Sequence, residues 1–446
     1  MTDQPFIFER YDFDAKKGIL ALHYRFKGGE SFEEQIVFPQ PIPSLPEDRL
    51  AALDRAFRLV FLLAGVSYYK ARVPKDLICE AFPLDKKTAD FVACVYREGL
   101  GEFSYRNEID LSEKIQFKIS EAQALASVPL SLPHRLLVPL GGGKDSIVGF
   151  EMLKQAGYSV ALIAAGKSAE ALPSPIQATM DVSGLPSLRI GRVLSKNILE
   201  LNKAGVLNGH VPITAILSSI VVACAILYGY DAIVMSNEHS ASAPNLKIGK
   251  TEINHQYSKS LAFEADFSDF VAKRISPDVK YFSILRPLTE AAIASRFAKL
   301  DKYHAVFRSC NTAFRQDEKA RGKNWCCDCP KCRFVFLALA PFLDKPCLIK
   351  IFGKNLLDDK AQEQGFAELC GLASHKPFEC VGEIEESALL MEKLYQNEAW
   401  KDDAVVKELG RRLTFAEKDF EKRYNALFAL HSDHKVPEEF LRLLHA

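Results

Sequence analysis

The chain has 446 residues, more than one ordinary domain accommodates, so two or three domains are expected. Its 57 Lys and Arg balance 57 Asp and Glu, and its 48% hydrophobic and 26% charged residues are those of a globular protein in water. Zero net charge argues against long nucleic acid as the main partner, because each neutralised phosphate needs a Lys or Arg.

Residues 1–6 carry no basic stretch followed by an apolar run, so no signal peptide is expected and the compartment is read as cytoplasmic. In 18–27, Leu20, Leu22, Tyr24 and Phe26 alternate with Ala21, His23 and Arg25, the period of a half-buried strand. Residues 32–38 repeat the pattern more weakly, and Gly28-Gly29 between them suits a hairpin turn. Residues 48–70 read as a helix with Leu50, Leu53, Phe57, Val60 and Phe61 on one face. This β-rich N-terminal domain, 1–125, shows no chemistry of its own and reads as a scaffold or a substrate grip. Ser127, Pro129, Ser131 and Pro133 mark a linker at 122–133.

A central domain, 134–309, alternates strands with helices. Strands are predicted at 136–140, 159–165, 188–193, 232–236 and 281–285. Helices are predicted after the first strand as far as Leu153, and at 195–203, 260–274 and 289–300. This is an α/β pattern, a parallel sheet covered on both faces. Ligands of such sheets bind at the carboxyl ends of the strands, where the strand order reverses. Residues 211–230 contain no charge and are long enough to cross a bilayer. A helix buried against a parallel sheet has the same composition, and the strand-like run that follows at once favours that reading, with no membrane contact. A cysteine segment, 310–335, comes next, and a helical region, 336–446, completes the chain.

The strand at 136–140 runs into Gly141-Gly142-Gly143-Lys144-Asp145-Ser146, followed by a helix. Glycines let backbone N–H groups crowd round an anion, and the helix N-terminus adds partial positive charge. Lys144 can add a full charge and Ser146 a hydrogen bond to a phosphoryl oxygen. Asp145 cannot face phosphate directly, so it is read as a Mg²⁺ ligand or a cap of the turn. The spacing excludes a Walker A loop.

Five of the 11 cysteines, Cys310, Cys326, Cys327, Cys329 and Cys332, share one region. Without a secretion signal they read as a metal site in a reducing compartment, not as disulfides. Cys310, Cys326, Cys329 and Cys332 offer four soft ligands for a structural Zn²⁺; adjacent cysteines rarely point at one metal, which sets Cys327 aside. An iron–sulfur cluster competes for the same four thiolates. The remaining cysteines are expected in cores.

Gly142, Gly143, Asp145 and Ser146 match the Ser-Gly-Gly-x-Asp-Ser signature of the N-type ATP pyrophosphatases, and the loop resembles the PP-loop of that superfamily. The resemblance implies a HUP-like domain that binds ATP with Mg²⁺, holds its β and γ phosphates at Gly141, Gly142, Gly143, Lys144, Asp145 and Ser146, and adenylates a substrate oxygen. Gly141 departs from the signature serine. Over residues 135–335, loop and cysteines together also resemble the deazapurine nitrile synthases, which carry zinc after the nucleotide domain. Residues 63–70, Leu-Ala-Gly-Val-Ser-Tyr-Tyr-Lys, the loop Pro139–Ser146 and Cys329-Pro330-Lys331-Cys332-Arg333-Phe334-Val335 extend the likeness further. With them the chain resembles the ATP-dependent UDP-N-acetylmuramoyl-L-alanyl-L-glutamate epimerases of bacterial cell-wall synthesis. That family implies a UDP-linked muramoyl dipeptide as substrate, inversion of its terminal L-Glu, and release of AMP and pyrophosphate. The competing reading is an amide, nitrile or thiolation enzyme acting on a nucleobase or tRNA.

Three polar loops contain histidine: 208–210, 236–240 and 252–260. Glu238 is read as a Mg²⁺ ligand or base, and His239, His255 and Lys259 as acid/base candidates, with His239 and His255 favoured as the pair. Spacing alone does not rank them, and it leaves a homo-oligomer open.

Overall fold

A computed structural model of the chain describes residues 4–121, 124–168, 170–244, 246–248, 251–314, 322, 324–373, 376–413 and 415–445. Three antiparallel strands open it: β1 (Phe6–Asp14), β2 (Ile19–Phe26) and β3 (Ser31–Val37). The period-two residues Leu20, Leu22, Tyr24 and Phe26 are buried as their alternation predicts. Gly28, at φ +67°, makes the turn after β2. β1 escaped the sequence reading because its alternation breaks: Phe6, Ile7 and Phe8 are all buried, and the register shifts between Phe8 and Arg10. β4 (Asp76–Cys79) and β5 (Gln116–Phe117) are too short to show a period.

The helix expected over 48–70 is two pieces, Glu47–Ala64 and Val66–Tyr69, divided at Gly65. Leu53, Phe57, Val60 and Phe61 line its buried face, but Leu50 is half exposed, so that part of the predicted stripe is corrected.

The central strands are β6 (Leu136–Pro139), β7 (Val160–Gly166), β8 (Ser187–Val193), β9 (Ala232–Met235), a separate hairpin of β10 (Leu246–Ile248) and β11 (Thr251–Ile253), and β12 (Lys280–Ser283). Pairing is parallel throughout β12-β9-β6-β7-β8. β8 then pairs antiparallel with β3, through Gln35 opposite Val193 and Val37 opposite Gly191. One ten-stranded sheet results, in the order β12-β9-β6-β7-β8-β3-β2-β1-β4-β5. It runs across the linker at 122–133. Buried charge ties the junction: Arg192 Nε donates to Glu34 at 2.7 Å, and the Tyr68 hydroxyl donates to the same carboxylate at 2.8 Å.

Alternation along the parallel strands divides the interior into two cores. Leu137, Ile163 and Ile233 point into one, with the N-terminal strands and the helices Glu47–Ala64, Ile213–Tyr228 and Leu261–Arg274. Leu136, Val138, Leu162 and Val234 point into the other, with Lys144–Gln155, Glu290–Phe297 and the C-terminal helices Pro330–Leu339, Ile384–Tyr395 and Ala404–Arg412. β6, β7 and β9 are covered on both faces, which is why they read as apolar runs. The uncharged stretch is the buried helix Ile213–Tyr228, ended by Gly229 in the left-handed conformation. Among the described residues no helix is long and apolar enough to cross a membrane.

Candidate functional site

β6 is the first strand in sequence of the parallel block β12-β9-β6-β7-β8, and it lies at the middle of that block. β7 and β8 build outward on one side of it, β9 and β12 on the other. The order therefore reverses at β6, and the loop leaving its carboxyl end sits at the switch point where α/β sheets bind ligands. Gly143 precedes the helix Lys144–Gln155, whose N-terminus has no side-chain cap, so its first N–H groups lack the partner a cap supplies. Gly142 needs the freedom of glycine, and Gly143 is tightly approached. Gly142 has φ +80°, and a Cβ on Gly143 would meet Ser309 Oγ at 2.8 Å. Gly141 has open space around it, so no steric demand explains the departure from serine there.

This loop floors a cavity of about 620 Å³. Leu140, Gly141, Gly143, Lys144, Asp145 and Ser146 line it from the β6 side, and Ser236, Asn237 and Glu238 from the β9 loop. Ile163, Ile190, Leu217 and Val221 form an apolar wall. Lys259, Glu290, Arg308 and Lys331 bring charge from four further segments. Asn237 Nδ2 donates to Ser283 Oγ at 3.0 Å, fixing the loop after β9 against the end of β12.

A single buried arginine sets the two candidate loops. Arg286, 1% exposed, donates from Nη1 to the carbonyl of Glu238 and from Nη2 to the carbonyl of Lys259, each at 2.6 Å. Nη2 also pairs with Glu264 at 2.9 Å, and Glu264 accepts from the N–H of Ser283.

Lys144 is buried between Asp145 and Glu290, bonded to both carboxylates. Burial opposes its charge, but the two carboxylates outweigh burial and hold it protonated above its ordinary range. The Glu290 carboxyl is pushed well up by burial, with Lys144 opposing and Asp145 and Glu238 adding to the rise. Three carboxylates thus converge on the loop, a hard-oxygen donor set of the kind Mg²⁺ takes.

The four acid/base candidates are not brought together. Glu238 and Lys259 line the cavity. His239 turns into a smaller one of about 230 Å³, where its ring stacks on His431 with centroids 3.6 Å apart. Burial, then the charge of His431, lowers its pKa. His255 lies behind Lys259, hydrogen-bonded to Glu102, with the His210 ring 4.2 Å away. Burial opposes the charge of His255, but the hydrogen bonds it donates to Cys380 and Glu102 raise its pKa to about 9. His210 is lowered to about 4 by burial and by His255.

The sulfurs of Cys310, Cys326, Cys329 and Cys332 lie within 4.8 Å of one another. Cys326 and Cys332 are 3.7 Å apart, Cys329 and Cys332 3.5 Å. A tetrahedron with Zn–S of about 2.3 Å has edges of about 3.8 Å, so the geometry fits. Cys327, at φ +58°, points its sulfur away to the Phe352 carbonyl at 3.4 Å. The expectation that the remaining cysteines sit in cores is corrected. Only Cys224 and Cys370 of these are buried, and Cys380 stands in the cavity wall. Sequence reasoning missed Cys380, Arg308 and Lys331 as site residues, because the fold alone brings them to the loop.

A family model described as the MurL N-terminal domain matches residues 1–284, and one described as the MurL C-terminal domain matches 306–425. A protein of Xanthomonas oryzae pv. oryzae, named UDP-N-acetyl-alpha-D-muramoyl-L-alanyl-L-glutamate epimerase, is 43% identical over 432 residues, 97% of this chain and 95% of its own. Proteins of the same name from Salinispora tropica and a Micromonospora species are each 40% identical, over 91% of this chain and 88% and 90% of theirs.

Proposed function

The chain belongs to the MurL family, and from that premise we propose that it inverts the terminal L-Glu of a UDP-N-acetylmuramoyl-L-alanyl-L-glutamate to D-Glu, using ATP and releasing AMP and pyrophosphate. The observation that carries the ATP part is the uncapped helix N-terminus at Gly143, opening into one cavity with three carboxylates, four cationic side chains and an apolar wall. The triphosphate lies along Gly141, Gly142, Gly143 and Ser146, with the adenine against Ile163, Ile190, Leu217 and Val221. Two buried polar atoms beside the loop, Ser236 Oγ and Arg308 Nε, have no hydrogen-bond partner and suit a polar ligand. Asp145, with Glu290 and Glu238 near it, would hold Mg²⁺, which supplies charge neutralisation of the phosphates.

The chemistry explains why ATP is needed. Breaking the Cα–H bond beside a free carboxylate would place a second negative charge next to the first. Adenylation of the α-carboxylate removes that charge and leaves a carbonyl able to accept the electron pair as an enolate. Activation of the γ-carboxylate would not help, because it is not adjacent to Cα. Glu238 and Lys259 line the same cavity and would touch the reacting glutamate. His255 acts through its neighbours, and His239 serves the smaller cavity. In deuterated water, D-Glu product should carry deuterium at Cα, and that incorporation should need ATP. Formation of ADP and phosphate, or inversion without ATP, would overturn this reading.

Cys310, Cys326, Cys329 and Cys332 are proposed to hold a structural Zn²⁺ that closes the segment carrying Lys331 and Phe334 onto the cavity. Metal analysis of purified protein should find about one zinc per chain. Replacing any one of the four should reduce stability more than it reduces turnover by the folded fraction. A brown protein containing iron and sulfide would exclude zinc here.

A further inference from the structure

We propose that Cys380 is a catalytic residue of the epimerisation: its Sγ, at the cavity wall and 3.4 Å from Lys259 Nζ, takes the Cα proton of the activated glutamate. The inference rests on the adenylate reading above.

Lys259 comes from the loop before the helix Leu261–Arg274, and its ammonium donates to Cys380 Sγ. The backbone carbonyl of Lys259 is held by buried Arg286, so the lysine does not wander. His255 reaches the same sulfur and is itself bonded to Glu102, with His210 behind it. Lys331 adds positive charge, offset by Glu379, from which it is 3.6 Å distant. Glu238 and Asp145 face Lys259 from the loop side.

Two cations thus bracket one thiol in a cavity that already gathers the proposed nucleotide and substrate groups. Burial opposes ionisation of Cys380, but Lys259 and His255 outweigh it and bring the thiol down to about 7. A buried cysteine without such partners goes the other way, as Cys224 does. Near neutral pH a substantial share is therefore thiolate, the form that acts as base. No other free thiol lines this cavity among the described residues.

The step balances simply. The thiolate forms S–H as the Cα–H bond breaks, and that electron pair becomes the C=C bond of the enolate. The opposite face of the planar enolate then takes a proton from water or a water-equilibrated acid, which gives the inverted centre. The base left by that donor recovers a proton from the Cys380 thiol, restoring the thiolate.

Two measurements separate this from the adenylate reading. Cys380→Ser should lower ATP-dependent deuterium exchange at Cα by about 100-fold or more, while dipeptide-dependent exchange of pyrophosphate into ATP, which precedes proton removal, persists. Absence of pyrophosphate exchange in the wild type would overturn adenylation but leaves the thiol test intact, since Cα exchange is read separately. Should the serine variant fold poorly, the wild type answers alone. Iodoacetamide should alkylate Cys380 with a rate that rises with pH through a midpoint near 7, block Cα exchange, and be slowed by bound dipeptide. In Lys259→Gln that midpoint should move up toward the ordinary thiol value of about 8.5. Wild-type exchange in Cys380→Ser, or full exchange after alkylation at Cys380, would overturn the proposal.

Discussion

Asp145→Asn should lower dipeptide-dependent pyrophosphate release by about 100-fold or more, with the thermal midpoint close to that of the wild type. The two halves of that expectation have different origins. Asp145 is about a third exposed at its side chain, and pairs in that setting contribute little to stability. Lys144 would keep Glu290 as its buried partner, so the loop should survive. What the variant loses is the carboxylate proposed to hold Mg²⁺ beside the phosphates, a role that would matter only with nucleotide bound. Ser146→Ala should act in the same direction. Ser146 Oγ donates to the Gly143 carbonyl at 3.2 Å, a weak contact that a phosphoryl oxygen can replace. Coupled assay of pyrophosphate beside a melting curve makes the test. Asp145→Asn retaining more than a tenth of wild-type release would remove Asp145 from the site.

What was legible in the sequence divides along physical lines. β6, β7, β9 and the buried helix Ile213–Tyr228 were readable because burial on both faces writes itself as apolar runs. The glycine loop was readable because positive φ at Gly142 and the tight approach of Ser309 at Gly143 leave few alternatives to glycine. The cysteine cluster was readable because close spacing in sequence brings the sulfurs of Cys310, Cys326, Cys329 and Cys332 within 4.8 Å of one another. β1 was not, because its register shift erases the period, and neither was the break at Gly65. The roles of the histidines were not legible, for a reason of the same kind. A polar loop announces that a side chain can reach a ligand, but its direction is set by tertiary contacts. His239 is turned toward His431, from a segment nearly two hundred residues away, and His255 toward Glu102. Cys380 lies 121 residues from Lys259, and no local pattern links them.

Arg286 is the clearest case of a residue with no motif and a large expected effect. Arg286→Met should destabilise the fold by about 3–5 kcal/mol, the range seen when one partner of a buried ion pair is removed. Both Arg286 and Glu264 are 1% exposed, so the remaining carboxylate would be left buried without its cation. The variant also frees the carbonyls of Glu238 and Lys259, which one guanidinium fork now holds together. Lysine should rescue little, since an ammonium is a point donor and cannot span both carbonyls and the carboxylate. A paired change separates stability from positioning. In Arg286→Met with Glu264→Leu the orphaned charge is gone, and hydrophobic replacement of a buried pair is often neutral or stabilising, so much of the lost stability should return. Activity should not return with it, because the loops bearing Glu238 and Lys259 would still lack their common tether. Urea midpoints and Cα deuterium exchange, measured on both variants, read the two effects apart. A double variant that recovers exchange together with stability would show that Arg286 supports the fold alone and does not position the site.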